Sequence, residues 1–270
     1  MKSDEKMKRG IVVVLALLMV ALLISQSGHG KIDVDKLRAF LEHQYVPEIG
    51  LLRAAVVAYP DNETIYIVND NVLAEKALRI LDSPLAENLN ESLTKFNYSL
   101  GKIAPLFGKP VEVFHCQRVK RVGEIYSRKF KAKFTLMTEV QDECIMRDWV
   151  EYSDLVVYAA LSDVLTGNLS RAFERYKVLL RMWDGYGFRD KAFAGTYQTY
   201  KCALFVYLYR TLGEPREGRE IYKKCIEIIS TLQGPNGGII TGYKVEKNRI
   251  IPYGDENTET TSLVVIALQG

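Results

Sequence analysis

Three histidines and four cysteines are all that this 270-residue chain carries of the commonest metal-binding side chains. His29, His43 and His115 are scattered, and no cysteine stands in a Cys-x-x-Cys pair or at zinc spacing from a histidine, so no metal is expected. The Gly-x-Ser-x-Gly elbow, the P-loop, the dinucleotide fingerprint and His-Glu-x-x-His are all missing. Their absence argues against nucleotide, NAD and zinc-protease chemistry, and no cofactor is expected. A charge excess is missing as well. The formal net charge is +3, but Lys2, Lys6, Lys8 and Arg9 against Asp4 and Glu5 account for +2 of it. The remainder is close to neutral and offers no basic field to nucleic acid. With 8 prolines and 19 glycines the chain is neither collagenous nor of low complexity.

One long apolar run is present. Ile11 to Ile24 is unbroken, and the uncharged stretch extends from Gly10 to Gly28. The run fits a signal-peptide core, and the longer stretch just suffices for a spanning helix. Four basic residues precede it, which keeps residues 1–10 in the cytoplasm and exports the rest. Two readings follow: a single-pass anchor over 11–28 at the cell membrane, or a signal cleaved near Ser25-Gln-Ser27 that leaves a secreted protein. In either case 31–270 is an extracytoplasmic domain. Cys116, Cys144, Cys202 and Cys225 all lie beyond the run. They can pair as Cys116–Cys144 and Cys202–Cys225, or remain four buried thiols. Asn62, Asn90, Asn97 and Asn168 open Asn-x-Ser/Thr triplets, glycosylation acceptors in an exported chain.

Hydrophobic spacing predicts helices over 31–46, from Asn69 to Leu81, and over 88–100, 149–165, 169–183, 195–212, 216–232 and 257–268. Residues 149–165, 195–212 and 258–268 are apolar nearly all round and should be buried. Residues 169–183 and 216–232 carry a charged stripe and should lie outside. Between 109 and 140 the pattern changes to alternation. From Tyr126 to Leu136 the even positions are mostly apolar, and Ser127, Lys129, Lys131, Lys133 and Thr135 face the other way. That lysine face suits an acidic glycan or lipid headgroups, or it protects an edge strand from pairing.

Alternating buried and outer helices describe antiparallel α/α hairpins. Asp154-Leu-Val-Val-Tyr-Ala-Ala-Leu-Ser, Trp183-Asp-Gly-Tyr-Gly-Phe-Arg-Asp190, Tyr197-Gln-Thr-Tyr-Lys-Cys-Ala-Leu204, Gly237-Gly-Ile-Ile-Thr-Gly-Tyr243 and Asn257-Thr-Glu-Thr-Thr-Ser-Leu263 resemble repeats of the α/α toroid superfamily. That group includes six-hairpin glycosidases, polysaccharide lyases and terpenoid-cyclase-like toroids. The resemblance covers roughly 148–270 and implies a mainly α fold, a short or open toroid with a small β segment near 110–140. It matches no family's catalytic motif residue by residue.

In such a layer the loops entering buried helices share one rim. They carry Asp70, Asp154, Asp184, Asp190, Asp255, Glu256 and Glu259 with Trp183, Tyr186, Phe188, Arg189 and Tyr253. Carboxylates beside aromatic rings suit a glycan, which needs a stacking face and, for hydrolysis, two carboxylates. Asp184, Asp190, Asp255, Glu256 and Glu259 are the catalytic candidates of a hydrolase or lyase. Trp183, Tyr186, Phe188, Arg189, Tyr253, Asp70 and Asp154 are the binding candidates. The same acids also serve as ordinary helix caps. The expected function is a membrane-anchored protein that binds or cleaves a glycan. The alternatives are a non-catalytic surface scaffold and a binder of an apolar isoprenoid.

Overall fold

Helices come first in the packing, because their apolar faces dictate it. The computed structural model describes residues 31–56, 64–66, 69–96 and 98–270. The Ile11–Ile24 run and the Asn62 and Asn97 acceptors lie outside them. Three helices, α4 (Ser153–Leu165), α6 (Thr199–Thr211) and α8 (Thr258–Gln269), bury nearly every side chain. Each fully buried Leu, Val or Phe contributes roughly 1.5–3 kcal/mol. They form a row, α4 against α6 and α6 against α8, which α2 (Asn69–Ile80) continues beyond α8. Outside the row, α5 (Leu169–Arg181) packs on α4 through Ala172, Tyr176 and Leu179, and α7 (Arg219–Thr231) on α6 through Cys225, Ile228 and Ile229. Two further helices, α1 (Val34–Gln44) and α3 (Leu85–Thr94), cover α2, and α1 also touches α8.

Caps fix where these helices start. The Asn257 side chain accepts from the Thr260 N–H at 2.9 Å and opens α8. Asn168 does the same for α5, accepting from Arg171 at 3.2 Å, so this glycosylation acceptor already serves as a cap. The helix expected from Asn88 instead begins at Leu85 behind Pro84, whose fixed φ suits an N-terminus.

The mainly α toroid is not what the chain forms. Eight strands in three small sheets occur among the described residues. Strands β1 (Tyr45–Val46) and β2 (Leu51–Leu52) pair antiparallel. Strand β3 (Thr64–Tyr66) runs parallel to β5 (Ala132–Ile145), which pairs antiparallel with β4 (His115–Ser127). The third sheet joins β6 (Tyr197–Gln198), β7 (Ile239–Glu246) and β8 (Arg249–Asn257). The stretch 234–256, between the helices predicted over 216–232 and 257–268, is thus mostly a hairpin. It closes through Lys247 and Asn248, both at positive φ, rather than through the glycine-rich 234–238 segment.

The lysine-faced strand expected over 126–136 is instead the end of β4, a turn over 128–131 and the start of β5, with Ser127 opposite Ala132. The turn is anchored on the helices. The Phe130 ring lies under the Arg53 guanidinium at 4.0 Å, and the Lys129 ammonium donates to the His43 and Tyr45 carbonyls at 2.6 and 2.9 Å. A disulfide joins Cys116 to Cys144 across the far end of β4 and β5. Cys202 and Cys225 are buried free thiols. No helix among the described residues is long and apolar enough to cross a membrane.

Candidate functional site

The apolar row carries an unexpected load of polar side chains at one end. Asn69, Asp70 and Asn71 begin α2, Ser153 and Asp154 begin α4, Thr199 and Lys201 begin α6, and Thr258, Thr260 and Thr261 begin α8. All are buried. Helix N-termini favour acids and hydrogen-bond acceptors, because their first N–H groups lack partners. Part of the set is consumed structurally. Asn71 bonds the Leu52 backbone through both of its side-chain groups. The Thr258 hydroxyl donates to the Arg53 carbonyl at 2.6 Å.

Two lysine–carboxylate centres remain. The first is closed. Lys201 donates to both Asp190 oxygens at 2.8 and 2.7 Å. The same carboxylate accepts from the Ser153 N–H and hydroxyl at 2.8 and 2.6 Å, and from the Ala192 N–H at 3.1 Å. The side chains of Lys201 and Asp190 are 3% and 0% exposed. Burial pushes the Asp190 carboxyl up, but the bonds from Lys201 and Ser153 outweigh it and hold the group below its ordinary value.

The second centre is open. Lys102, on the 3₁₀ turn Gly101–Phe107 that packs on α4, meets Asp154 at 3.5 Å with 30% of its side chain exposed. Burial would lower the Lys102 pKa. The negative fields of Asp154, Glu259 and Glu139 reverse that and raise it. Glu139 reaches the centre from β5 and accepts from the Asn69 amide. Burial pushes the Glu139 carboxyl above its ordinary value, against the opposing field of Lys102. Tyr158 and Tyr200 adjoin the group, and burial together with Asp154 and Glu259 drives both phenols well up. The centre therefore combines three carboxylates, one ammonium and two neutral phenols.

In front of Glu139 lies a pocket of about 220 Å³, lined by Asn69, Tyr98, Ser99, Gln117, Glu139 and Gln141 among others. Amides, hydroxyls and one carboxylate make a wall of paired donors and acceptors. Gly101 lines it at φ +50, and a Cβ there would lie 2.9 Å from the Gln117 amide nitrogen. A larger trough of about 980 Å³ shares Tyr98, Ser99 and Gln141 and runs past Phe107 and Val113. Asn90, the remaining glycosylation acceptor, lines that trough.

The candidates from the sequence fall into four places. Asp154 and Glu259 act on Lys102 at the open centre, and Asp70 is buried at the start of α2. Asp190 belongs to the closed centre. Glu256 braces the turn before β7, accepting from the Asn236 and Gly238 N–H groups at 3.0 and 3.2 Å. Asp255 adjoins Glu256 on β8 and is half-buried. Asp184, Tyr186 and Arg189 line a separate pocket of about 600 Å³. Trp183 packs its ring on buried Phe188 at 5.2 Å, and Tyr253 lies exposed beneath the Lys244 ammonium.

Lys102, Glu139, Gln117, Gln141, Tyr158 and Tyr200 were not among the sequence candidates. One signal was available for Tyr158. It stands four residues after Asp154 on an otherwise apolar helix, so both project from one face. Among the described residues no three His, Cys, Asp or Glu side chains are placed to hold one metal ion. No family model matches the chain, and no curated protein or solved structure is matched by it.

Proposed function

We propose that this is an extracytoplasmic protein, tethered through its N-terminal apolar segment, that binds a glycan by taking one sugar residue into the pocket in front of Glu139. The observation that carries the reading is the pocket wall. Asn69, Gln117, Gln141 and Ser99 offer neutral donors and acceptors around a volume suited to a single pyranose ring, beside the exposed face of Tyr98. Sugar hydroxyls each donate and accept, and such donors and acceptors match them. The adjoining trough gives the rest of an oligosaccharide a path. Export is supported by the four basic residues before Ile11 and by the Cys116–Cys144 disulfide, a bond that persists in oxidising compartments.

One observation favours a hydrolytic version. Burial raises the Glu139 pKa, the direction that suits a carboxyl acting as proton donor, and Asp154 or Glu259 would be the second carboxylate.

The test is an oligosaccharide array probed with the full chain in detergent. Binding to at least one neutral glycan is expected. Gln141→Ala should weaken it tenfold or more at unchanged melting temperature, and Asn69→Ala should weaken it as much with a lower melting temperature, because Asn69 is buried and bonded to Glu139. Binding that survives both substitutions, or no binding at all, contradicts the proposal. Release of reducing ends by the wild type, lost in Glu139→Gln with binding retained, would establish the hydrolytic version.

A further inference from the structure

The pocket lined by Asp184, Tyr186 and Arg189 has a different character. Its far wall is the β7–β8 hairpin with Lys244 and Lys247, and the whole encloses about 600 Å³. Ligand pockets commonly fall within about 300–1,000 Å³.

Asp184, which lines it, is exposed but held by three hydrogen bonds. It accepts from the Tyr186 and Gly187 N–H groups at 3.0 and 3.1 Å and from the Tyr197 hydroxyl at 2.6 Å. Arg189, Lys244 and Lys247 make no ion pair among the described residues. Two of them rest on rings instead, Arg189 on Phe193 at 4.9 Å and Lys244 on Tyr253 at 4.6 Å. Three cations therefore face the pocket against two exposed carboxylates, the hydrogen-bonded Asp184 and Glu246.

Tyr186 is 44% exposed and yet fixed. Its hydroxyl donates to the Asn248 side chain at 2.8 Å, and its carbonyl accepts from the Tyr243 hydroxyl at 2.8 Å. Beneath the loop, Gly187 crosses Tyr197 so closely that a Cβ would meet the ring at 2.4 Å. The partner turn is strained. Lys247 and Asn248 hold φ +48 and +60, a left-handed pair for which Asn-Gly is the favoured sequence. Strain of this kind persists where surrounding structure enforces it, and it clusters at binding sites. Here it places an ammonium and the anchor of an exposed ring on the same pocket.

We propose that this pocket is a second carbohydrate site, one that binds an anionic sugar of the uronate class. The ring face stacks on Tyr186, and the carboxylate meets the cations, with Arg189 offering a planar bidentate fork. Holding Tyr186 and the turn in place beforehand lowers the ordering cost of binding.

The test is calorimetric titration of the full chain in detergent with a uronate-containing oligosaccharide and with its carboxyl-reduced neutral counterpart. The uronate form should bind at least tenfold more tightly, with affinity falling as salt rises. Tyr186→Ala and Arg189→Ala should each cost tenfold or more. Tyr186→Phe, which keeps the ring and loses the anchor, should cost a few-fold. Gln141→Ala in the neutral pocket should leave uronate binding unchanged, so failure of that site does not imitate failure of this one. Equal affinity for the two oligosaccharides, no binding of the uronate form, or undiminished binding by folded Tyr186→Ala and Arg189→Ala would overturn the proposal.

Discussion

Two lysine–aspartate pairs stand at the N-terminal ends of neighbouring buried helices, and they differ in nearly every respect. Lys201 and Asp190 touch at 2.7 Å with almost no exposure, and Ser153 and the Ala192 N–H complete the shell. Lys102 and Asp154 stand 3.5 Å apart, with Lys102 partly in water. Two more carboxylates, Glu139 and Glu259, act on that lysine. A satisfied buried pair joins elements: Asp190 ties the 183–190 loop and α6 to the first residue of α4. An open, acid-rich pair beside a pocket has capacity left for a ligand. The difference teaches that burial alone does not mark a functional charge; a partly exposed charge among several acids beside a cavity does.

Substitution of the two lysines tests the contrast most strongly. Lys201→Met leaves Asp190 buried and uncompensated and should cost about 3–5 kcal/mol in denaturant unfolding. Lys102→Met should cost less than half of that, because Lys102 is itself partly in water and stands 3.5 Å from Asp154, and should abolish sugar binding. Equal losses of stability would erase the distinction.

The next effect concerns the ribbon that carries Glu139. Cys116→Ser with Cys144→Ser opens a loop of 28 residues in sequence separation and should cost about 2–4 kcal/mol by freeing the unfolded chain. Sugar affinity should fall with it, while proteolysis of the 183–201 region stays unchanged.

Acid should then separate the centres. The folded pKa of Asp190 is depressed, so its stabilisation is complete above the unfolded value of about 4 and disappears as pH falls through the folded value. Wild-type stability should drop more steeply below about pH 4 than that of Asp190→Asn. Glu139 has the opposite sign. Its folded pKa is raised, so the ionised group costs stability at neutral pH, and that cost vanishes as pH falls through the folded value. Glu139→Gln should therefore raise the melting temperature at pH 7 by about 2 °C or more, and the gain should shrink on acidification. A lower melting temperature at pH 7 would show that the Asn69–Glu139 bond outweighs the burial.

The sequence made the helical row legible and most of the site illegible, for physical reasons. Helical period and all-round apolarity reveal α4, α6 and α8, and Asn257 marks the start of α8 through its own side chain. The β7–β8 hairpin is hidden because its turn is Lys247-Asn248, not a glycine turn, and because Gly234–Gly238 suggests a loop. The β4–β5 turn is hidden because alternation continues across it, with Phe130 held by Arg53 rather than by a strand partner. Asp154 and Glu259 could be singled out, since they open buried helices. Lys102 and Glu139 could not, because a 3₁₀ turn and a strand bring them to the same point from about fifty and about fifteen residues before Asp154, and only tertiary packing decides that meeting. Acids chosen because their loops enter buried helices, such as Asp184, Asp190 and Glu256, occupy three different surroundings.

Site-resolved carboxyl titration by ¹³C NMR, with and without a bound neutral oligosaccharide, tests the contrast between the two centres in one sample. Glu139 should titrate above the ordinary glutamate value and Asp190 below the ordinary aspartate value, and the oligosaccharide should move the Glu139 titration while leaving that of Asp190 in place. An ordinary pKa for Glu139, or a ligand that shifts neither group, would contradict the account.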